Sequence, residues 1–109
     1  MHIPDVIPLM ILPNATLFLD ALLPLHVFEP RYRRMLSDVL GSHRIFGVAL
    51  RQSVAGKEYP MPIVGVGMMR VCIDAKDGTS NLLLMGVARV ECLWAEKYRP
   101  YSLERVRVM

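Results

Sequence analysis

Residues that could catalyse a reaction or bind a metal ion are few and widely separated in this sequence. The histidines are His2, His26 and His43, and the two cysteines are Cys72 and Cys92. Metal sites that can be recognised from sequence place such ligands a few residues apart, as in HExxH or CxxC, and the sequence has no such spacing. We therefore expect no metal site and no cofactor, and we expect both thiols to be reduced.

The motifs of nucleotide-dependent and nucleophilic enzymes are also missing from the sequence. It contains no GxxxxGK[ST] loop for phosphates, no GxGxxG turn for a dinucleotide and no GxSxG elbow for a serine nucleophile. A chain of 109 residues has the length of one domain, which leaves no room for a motor domain together with a hydrolase domain. The sequence therefore predicts a protein without enzymatic activity and without catalytic residues.

The composition favours one large hydrophobic core and a surface that keeps some apolar side chains. Hydrophobic residues make up 53% of the chain and charged residues 21%, and the mean hydropathy is +0.34. The formal net charge of +3 is too small to indicate a surface dominated by nucleic-acid binding. Prolines and polar residues interrupt the apolar segment 3–28, which excludes a transmembrane helix, and no signal peptide is recognisable. We expect a cytoplasmic protein that does not bind membranes.

Two apolar segments and one helix precede the middle of the chain. Segments 6–12 and 22–28 each contain a proline, which has no N–H to donate, and this predicts short edge strands. Pro30 lies near the first turn of a predicted helix that Gly41 ends. Arg34 and Asp38 are expected to pair on its exposed face. One stripe of this helix is apolar, at Tyr32, Met35, Leu36, Val39 and Leu40.

The second half of the chain predicts a long β-hairpin. Segment 44–50 predicts a strand, 52–62 a loop, and 101–108 a last strand. Between them, 62–75 and 79–94 flank Asp77-Gly78, which favours a two-residue type I′ turn. This turn places Ile73 opposite Leu82. One face of the hairpin then carries Val71, Ile73, Leu82, Leu84, Ala88 and Val90, with Gly65, Gly67 and Gly86, which predict bulges or close approach in a sheet that curls towards closure.

The opposite face of this hairpin is too apolar for ordinary solvent exposure. We predict that it binds a polypeptide partner, with adaptable methionines at its centre and arginines that select acidic neighbours. A C-terminal segment or a second copy of the chain that covers this face is the open alternative. Cys72 and Cys92 fall on opposite faces, so we expect no disulfide between them. The predicted binding residues are Val66, Met68, Arg70, Leu83, Met85, Val87 and Arg89.

The segment 23–35, LPLHVFEPRYRRM, is the most distinctive in the chain. A structural interpretation places His26 on a strand and Glu29 at the helix N-terminus, where negative charge is favourable. In the functional alternative, Arg31, Arg33 and Arg34 form a basic patch for RNA. Because Tyr32 lies on the buried stripe, the aromatic ring that would stack on a base is not displayed beside these arginines. Nucleic acid is therefore disfavoured as a partner, although it stays open.

The same segment closely resembles the signature of the Lon N-terminal domain superfamily. This substrate-binding module occurs at the front of Lon proteases, in cereblon-type proteins and as stand-alone bacterial proteins, to which the chain is most similar. At Leu17-Phe18-Leu19-Asp20 the chain departs from the Leu-Phe-Pro-Gly that is usual in the family. Further matches span residues 6–108: Pro8-Leu9, Leu12-Pro13, Phe46-Gly47-Val48, Gly65-Val66-Gly67, Asp77-Gly78, Gly86-Val87-Ala88-Arg89-Val90 and Tyr98-Arg99-Pro100-Tyr101.

The resemblance implies a mainly β (α+β) fold, a PUA-like pseudobarrel of about six mostly antiparallel strands with one α-helix inserted at about residues 30–41. It implies one domain over 1–109 that lacks the family's helical C-terminal half, and no proteolysis, because the ATPase and Ser–Lys peptidase domains of Lon are absent. The signature residues Pro24, Leu25, His26, Phe28, Glu29, Pro30, Arg31, Tyr32 and Arg33 are expected to be structural.

For function, the resemblance implies a non-catalytic module that binds unfolded or exposed apolar polypeptide segments. A protease and a second copy of the chain, which would form a homodimer, are further candidate partners. An RNA-binding PUA-like domain and a self-assembly domain remain the alternatives.

Overall fold

The computed structural model describes residues 2–109, apart from the side chains of residues 53, 54 and 58–60. Strand is the dominant structure, and a single helix follows the second strand, which confirms the predicted mainly β fold with one early helix. The elements are β1 Val6–Leu12, β2 Leu22–Val27, α1 Pro30–Leu40, β3 Ile45–Val54, β4 Lys57–Pro60, β5 Ile63–Asp74, β6 Ser80–Lys97 and β7 Ser102–Val108.

Five strands close into a ring in the order β1, β7, β6, β5 and β3, because β3 also pairs with β1 in parallel. The long strand β6 has different neighbours along its length. Its first part, 80–85, pairs with β2, and its last part, 90–97, pairs with β7. The β5–β6 hairpin therefore belongs to the ring at one end and to a three-stranded sheet with β2 at the other.

Aliphatic side chains from all five strands of the ring pack together on one side of the strands. On β1, Ile7 and Leu9 belong to this cluster, whereas Met10 between them belongs to another, as alternation along a strand requires. We call this cluster the ring core. Its buried members are Ile7, Leu9, Ile45, Ala49, Val64, Val66, Val90 and Val106.

A second core lies between the other side of the ring and helix α1. Tyr32, Met35, Leu36 and Val39 form the buried stripe of α1, as predicted from their spacing, whereas Leu40, predicted on the same stripe, is 38% exposed. They pack with strand residues that include Phe46 and Leu84. We call this cluster the helix core. The two cysteines are free, with Cys72 packed against the helix core and Cys92 against the ring core, in keeping with the predicted absence of a disulfide.

Two predictions about the strands are wrong. Strand β1 is not an edge strand, since it pairs with both β7 and β3. Its pairing with β3 involves only Leu9–Leu12, so the missing N–H of Pro8 does not interrupt that ladder. The predicted loop 52–62 contains strand β4, which pairs with β3 around Ala55 and Gly56. Both turn residues have positive φ, which Ala-Gly does not signal as Asn-Gly does.

The turn between β5 and β6 has three residues, whereas the sequence predicted two. Ala75 and Thr79 face each other, because the Ala75 N–H donates to the Thr79 carbonyl at 2.8 Å, and Gly78 has a φ of 87°. A three-residue turn that ends in a left-handed glycine is a common hairpin connection. Ile73 consequently lies opposite Asn81 instead of Leu82, and Val71 and Ile73, predicted on the same face as Leu82 and Leu84, are 46% and 64% exposed whereas those leucines are buried.

The glycines of the hairpin mark a close approach of the segment that precedes β2, as predicted. A Cβ atom at Gly65 would lie 2.1 Å from the carbonyl oxygen of Leu17, and one at Gly86 would lie 2.0 Å from that of Phe18. Only glycine permits these contacts. One register shift of the hairpin also falls between Val66 and Gly67, which confirms a bulge at this point. Across residues 2–109, no helix is long and apolar enough to cross a bilayer.

Candidate functional site

The strands β2, β6 and β5 present a continuous apolar surface on the side that faces away from the helix core. Directly paired residues in neighbouring antiparallel strands project to the same side of a sheet. The pairing gives one row that joins Leu22, Met85 and Met68, and a second row that joins Pro24, Leu83 and Val71. We call this surface the hairpin face and define it by these two rows.

The side chains of the hairpin face are accessible to a partner. Leu22 is 59% and Val71 is 46% exposed, Pro24 is exposed, and Leu83 and Met85 are half-buried. The adjoining row carries His26, Asn81 and Ile73, and the His26 Nδ1 lies 2.9 Å from the Asn81 Oδ1, so this edge of the face is partly polar. Contiguous apolar surface of this kind is characteristic of interaction sites.

Local sequence explains why this surface stays open. Strand β2 pairs with β6 and has no second neighbour among the strand pairings of residues 2–109. Pro24 lacks the N–H that a ladder on that edge would use, which protects the edge from indiscriminate pairing. On the other side of the same sheet, Leu23 and Leu25 pack against the helix core. The alternation within β2 therefore anchors the strand with one set of leucines and presents Leu22 and Pro24 with the other.

The structure places three of the predicted binding residues on the hairpin face, namely Leu83, Met85 and Met68, of which Met68 is half-buried and also packs against the ring core. Val66 was predicted on the same surface and is fully buried in the ring core, so it is unavailable to a partner. Val87 falls in the register shift between the pairs Val66–Ala88 and Gly67–Gly86 and packs against the ring core. The bulge at Val87 reverses parity along β6, so that Val90 points into the ring core and Arg89 does not, and this reversal was not predicted.

The two predicted arginines lie outside the rows of the hairpin face. Arg70 falls in the second register shift, between Met69 and Val71, and is exposed. Arg89 is exposed and lies opposite Gly65, where it lines a separate groove with Phe18. The seven residues predicted from the sequence are therefore not one surface. Leu22, Pro24 and Val71, which were not predicted as binding residues, complete the hairpin face.

The basic residues of the signature segment have local partners. The Arg31 Nε lies 3.0 Å from the Glu29 carboxylate, and the Arg34 Nε lies 3.7 Å from that of Asp38, which confirms the predicted pair. Arg33 packs against the turn at Gly78, where a Cβ atom would be 2.2 Å from its guanidinium. Tyr32, beside them in the sequence, is buried. The Tyr32 ring therefore offers no surface on which a base could stack.

The remaining signature residues lie where the chain passes from β2 into α1. The Tyr32 hydroxyl accepts a hydrogen bond from the Ile11 N–H at 2.9 Å, which connects α1 to β1, and burial raises the pKa of this phenol. Pro30 is the first residue of α1, after Glu29, whose carbonyl accepts hydrogen bonds from the first turn. Phe28 is 62% exposed and stacks on the His26 ring with 6.1 Å between centroids.

Within the described part of the chain, no three histidine, cysteine, aspartate or glutamate side chains lie close enough together to bind a metal ion. The most prominent surface feature is instead an apolar face on a sheet that wraps partly around a helix. The arrangement is suited to adhesion through buried area and offers no group of converging titratable side chains at the hairpin face.

The fold is thus a ring of five strands with an early helix and an open apolar face beside it. The chain belongs to the ATP-dependent protease La (LON) substrate-binding domain family, whose model matches residues 6–109. A Lon protease of Dictyoglomus thermophilum is 23% identical over 110 residues. This match covers 98% of the chain and 14% of the relative, so the chain spans a small part of that protein.

Solved structures share the fold. The Lon N-terminal domain protein from Xanthomonas campestris superimposes with a TM-score of 0.78 at 24% identity, over 94% of this chain and 59% of that one. The N-terminal domain of a Mycobacterium avium complex Lon protease gives a TM-score of 0.71 at 11% identity, over 95% of this chain and 53% of that one. The chain is thus a substrate-binding domain of the Lon type, and the region that it matches is not the catalytic part of these proteins.

Proposed function

We propose that this domain binds unfolded or otherwise exposed apolar segments of other proteins through the hairpin face, without catalysing a reaction on them. The observation that carries the proposal is the pair of apolar rows, Leu22 with Met85 and Met68, and Pro24 with Leu83 and Val71, which three strands bring to one surface. The family to which the chain belongs supports a role in substrate recognition.

The physical properties of the face suit an irregular apolar partner. Burial of apolar area contributes roughly 25 cal/mol per Å², so that a few leucine or phenylalanine side chains of a client supply useful affinity. Two of the six residues are methionines, whose unbranched and polarisable side chains adapt to different shapes. A face without fixed charges in its rows discriminates little between apolar sequences. We therefore expect many clients and modest affinities.

A comparison of two valines tests the proposal. Val71 lies on the hairpin face and is 46% exposed, whereas Val108 lies on β7 and is 54% exposed. Val71→Asp should reduce the capture of unfolded casein at least tenfold, since it places a charge within the buried contact. Val108→Asp introduces the same charge on a strand of similar exposure and should capture casein as the unmodified domain does.

Two further measurements separate this function from its alternatives. Capture through the hairpin face should persist as salt is raised, whereas binding to RNA through phosphate contacts would fall steeply. Sedimentation at several concentrations shows whether a second copy covers the face. Equal capture by Val71→Asp and Val108→Asp, with both variants folded, would contradict the proposal.

A further inference from the structure

A separate groove lies near the C-terminal end of β6, far along the strand from the rows of the hairpin face. It has a volume of about 260 Å³, and its lining includes Met61, Cys92, Leu93, Trp94, Tyr98 and Glu104. Strand β6 supplies Cys92, Leu93 and Trp94, and β7 supplies Glu104, which is paired with Ala95. A bulge at Leu93, between the pairs of Cys92 and Trp94, re-aims this part of the strand.

Glu104 is the unusual member of this groove. Its side chain is only 7% exposed, and its Oε2 atom has no hydrogen-bond partner among the described residues. It is paired with Ile7 on the other neighbouring strand, so an aliphatic side chain flanks it on that side. A buried carboxyl oxygen without a donor is unfavourable, and this loss of solvation raises the pKa of Glu104. A donor that enters the groove would satisfy this atom.

Neighbouring charged groups among the described residues do not satisfy Glu104. The Arg105 guanidinium lies 2.7 Å from the Glu96 carboxylate and 5.7 Å from the Trp94 ring, so its charge is neutralised away from Glu104. The thiol of Cys92 is neutral at physiological pH, because burial raises its pKa to about 11. Among the described residues that line the groove, Glu104 is the one carboxyl, with a thiol and apolar or aromatic groups around it.

The walls of the groove are apolar, aromatic and exposed. Tyr98 is 76% and Trp94 is 55% exposed, and Leu93 and Met61 are each more than a third exposed. The Trp94 indole N–H donates to Glu96 at 3.1 Å, which fixes the orientation of the ring. Aromatic faces attract cations and also pack against the methylene groups of a lysine or arginine side chain.

We propose that this groove binds a lysine or arginine side chain of a polypeptide, with the cationic group at Glu104 and the methylene stem against Tyr98 and Met61. The carboxyl supplies charge complementarity at the base, and the aromatic walls take the stem and its apolar neighbours. The site is independent of the hairpin face. It would recognise a cationic residue flanked by apolar residues, a sequence feature that the hairpin face does not discriminate.

Trp94 is the single tryptophan of the chain, so its fluorescence reports occupancy of the groove directly. The test titrates the domain with acetyl-Leu-Lys-Leu-amide and with acetyl-Leu-norleucine-Leu-amide, which lacks only the charged amine. The lysine peptide should bind roughly tenfold more tightly, as expected for a charge-assisted hydrogen bond. Glu104→Gln should abolish this preference. Glu91→Gln makes the same chemical change at a β6 carboxyl that does not line the groove, and should retain it.

Equal affinity of the two peptides for the unmodified domain would overturn the proposal, as would no change in fluorescence with either peptide. A lysine preference that survives in Glu104→Gln would overturn it as well. Circular dichroism establishes whether each variant is folded, and if Glu104→Gln does not fold, the peptide pair on the unmodified domain decides alone. Because neither peptide test involves Val71 or its neighbours, its failure leaves the proposed role of the hairpin face standing.

Discussion

The N–H of Asp20 donates a hydrogen bond to the carbonyl of Gly86, 2.9 Å away, and the N–H of Gly86 donates to the carbonyl of Ala21 at the same distance. This reciprocal pair attaches the segment before β2 to β6. It lies at the point where β6 stops pairing with β2 and continues into the ring. The position of Leu22 at the start of the hairpin face therefore depends on it.

Gly86 should tolerate no side chain. A Cβ atom there would lie 2.0 Å from the Phe18 carbonyl oxygen. Because this oxygen belongs to the backbone, it cannot move aside as the end of a flexible side chain could. We expect Gly86→Ala to lower the free energy of unfolding by about 1–3 kcal/mol, measured by urea denaturation. Gly41→Ala is the control, because a Cβ atom there meets only ordinary contacts at 3.6 Å. Equal stability of the two variants would show that segment 17–21 does not pack as described.

Asp20 occupies a conformation that glycine adopts more easily. Its φ is 65°, and it is the third residue of a turn that the Ala21 N–H closes on the Phe18 carbonyl at 3.1 Å. The family usually has Pro-Gly at Leu19-Asp20, which suits a turn with positive φ at its third residue. Asp20→Gly should raise the midpoint of thermal unfolding, with a gain of about 0.5–1 kcal/mol, and Asp20→Ala should lower it. The opposite order of these two midpoints would refute the proposed strain.

The Tyr32 hydroxyl joins helix α1 to strand β1. Tyr32→Phe removes the acceptor of the Ile11 N–H, a hydrogen bond of 2.9 Å, while it keeps the ring in the helix core. We expect a loss of about 1–3 kcal/mol in the free energy of unfolding, because the amide is left without a partner. Tyr98→Phe, at a residue that is 76% exposed, is the matched control and should change stability little.

Glu104 should make the domain less stable as pH rises. Because desolvation raises its pKa above the ordinary value of 4.5, the folded state keeps a proton that the unfolded state has already lost. The free energy of unfolding therefore falls as the pH rises above about 4.5, until the carboxyl has also ionised in the folded state. Glu104→Gln should show a smaller loss of stability between pH 5 and pH 8 than the unmodified domain.

The control for this titration is Glu91→Gln, at a half-exposed carboxyl paired with Arg107. This variant should keep the full pH dependence of the unmodified domain in urea denaturation across the same range. If Glu104→Gln and the unmodified domain lose stability in parallel, the Glu104 carboxyl is not desolvated as the structure indicates.

Local patterns predicted most of the elements correctly because local interactions determine them. The stripe of α1 follows from its spacing, and Pro30 is its first residue as expected. Strand β1 has the predicted bounds, although its place inside the ring depends on a distant partner, β3, that no local pattern shows. At Gly65, likewise, the sequence predicted that another part of the chain approaches closely, but only the structure shows that this part contains Leu17.

The binding face was harder to predict, because one additional residue in a turn or a bulge changes the side of the sheet to which the neighbouring side chains point. One additional turn residue at Gly78 exchanges the faces of the strand end that carries Val71 and Ile73. The bulge at Arg70 then restores the parity of β5, so that Met68 lies on the hairpin face as predicted, whereas Val66, on the same side of β5, lies inside the ring and is buried. Neither Glu104 nor Trp94 carried a signal, because the groove they share exists only when β6 and β7 pair.

The most direct test of the hairpin face uses the methyl groups of the methionines as position markers in NMR. The titrant is an unfolded apolar polypeptide free of lysine and arginine, which cannot use the Glu104 groove through a cation. Met85 and Met68 lie on the hairpin face, whereas Met61 lines the groove. We predict that the signals of Met85 and Met68 shift on addition of the polypeptide while that of Met61 does not. Shifts confined to Met61, or binding without any change at Met85 and Met68, would contradict the account.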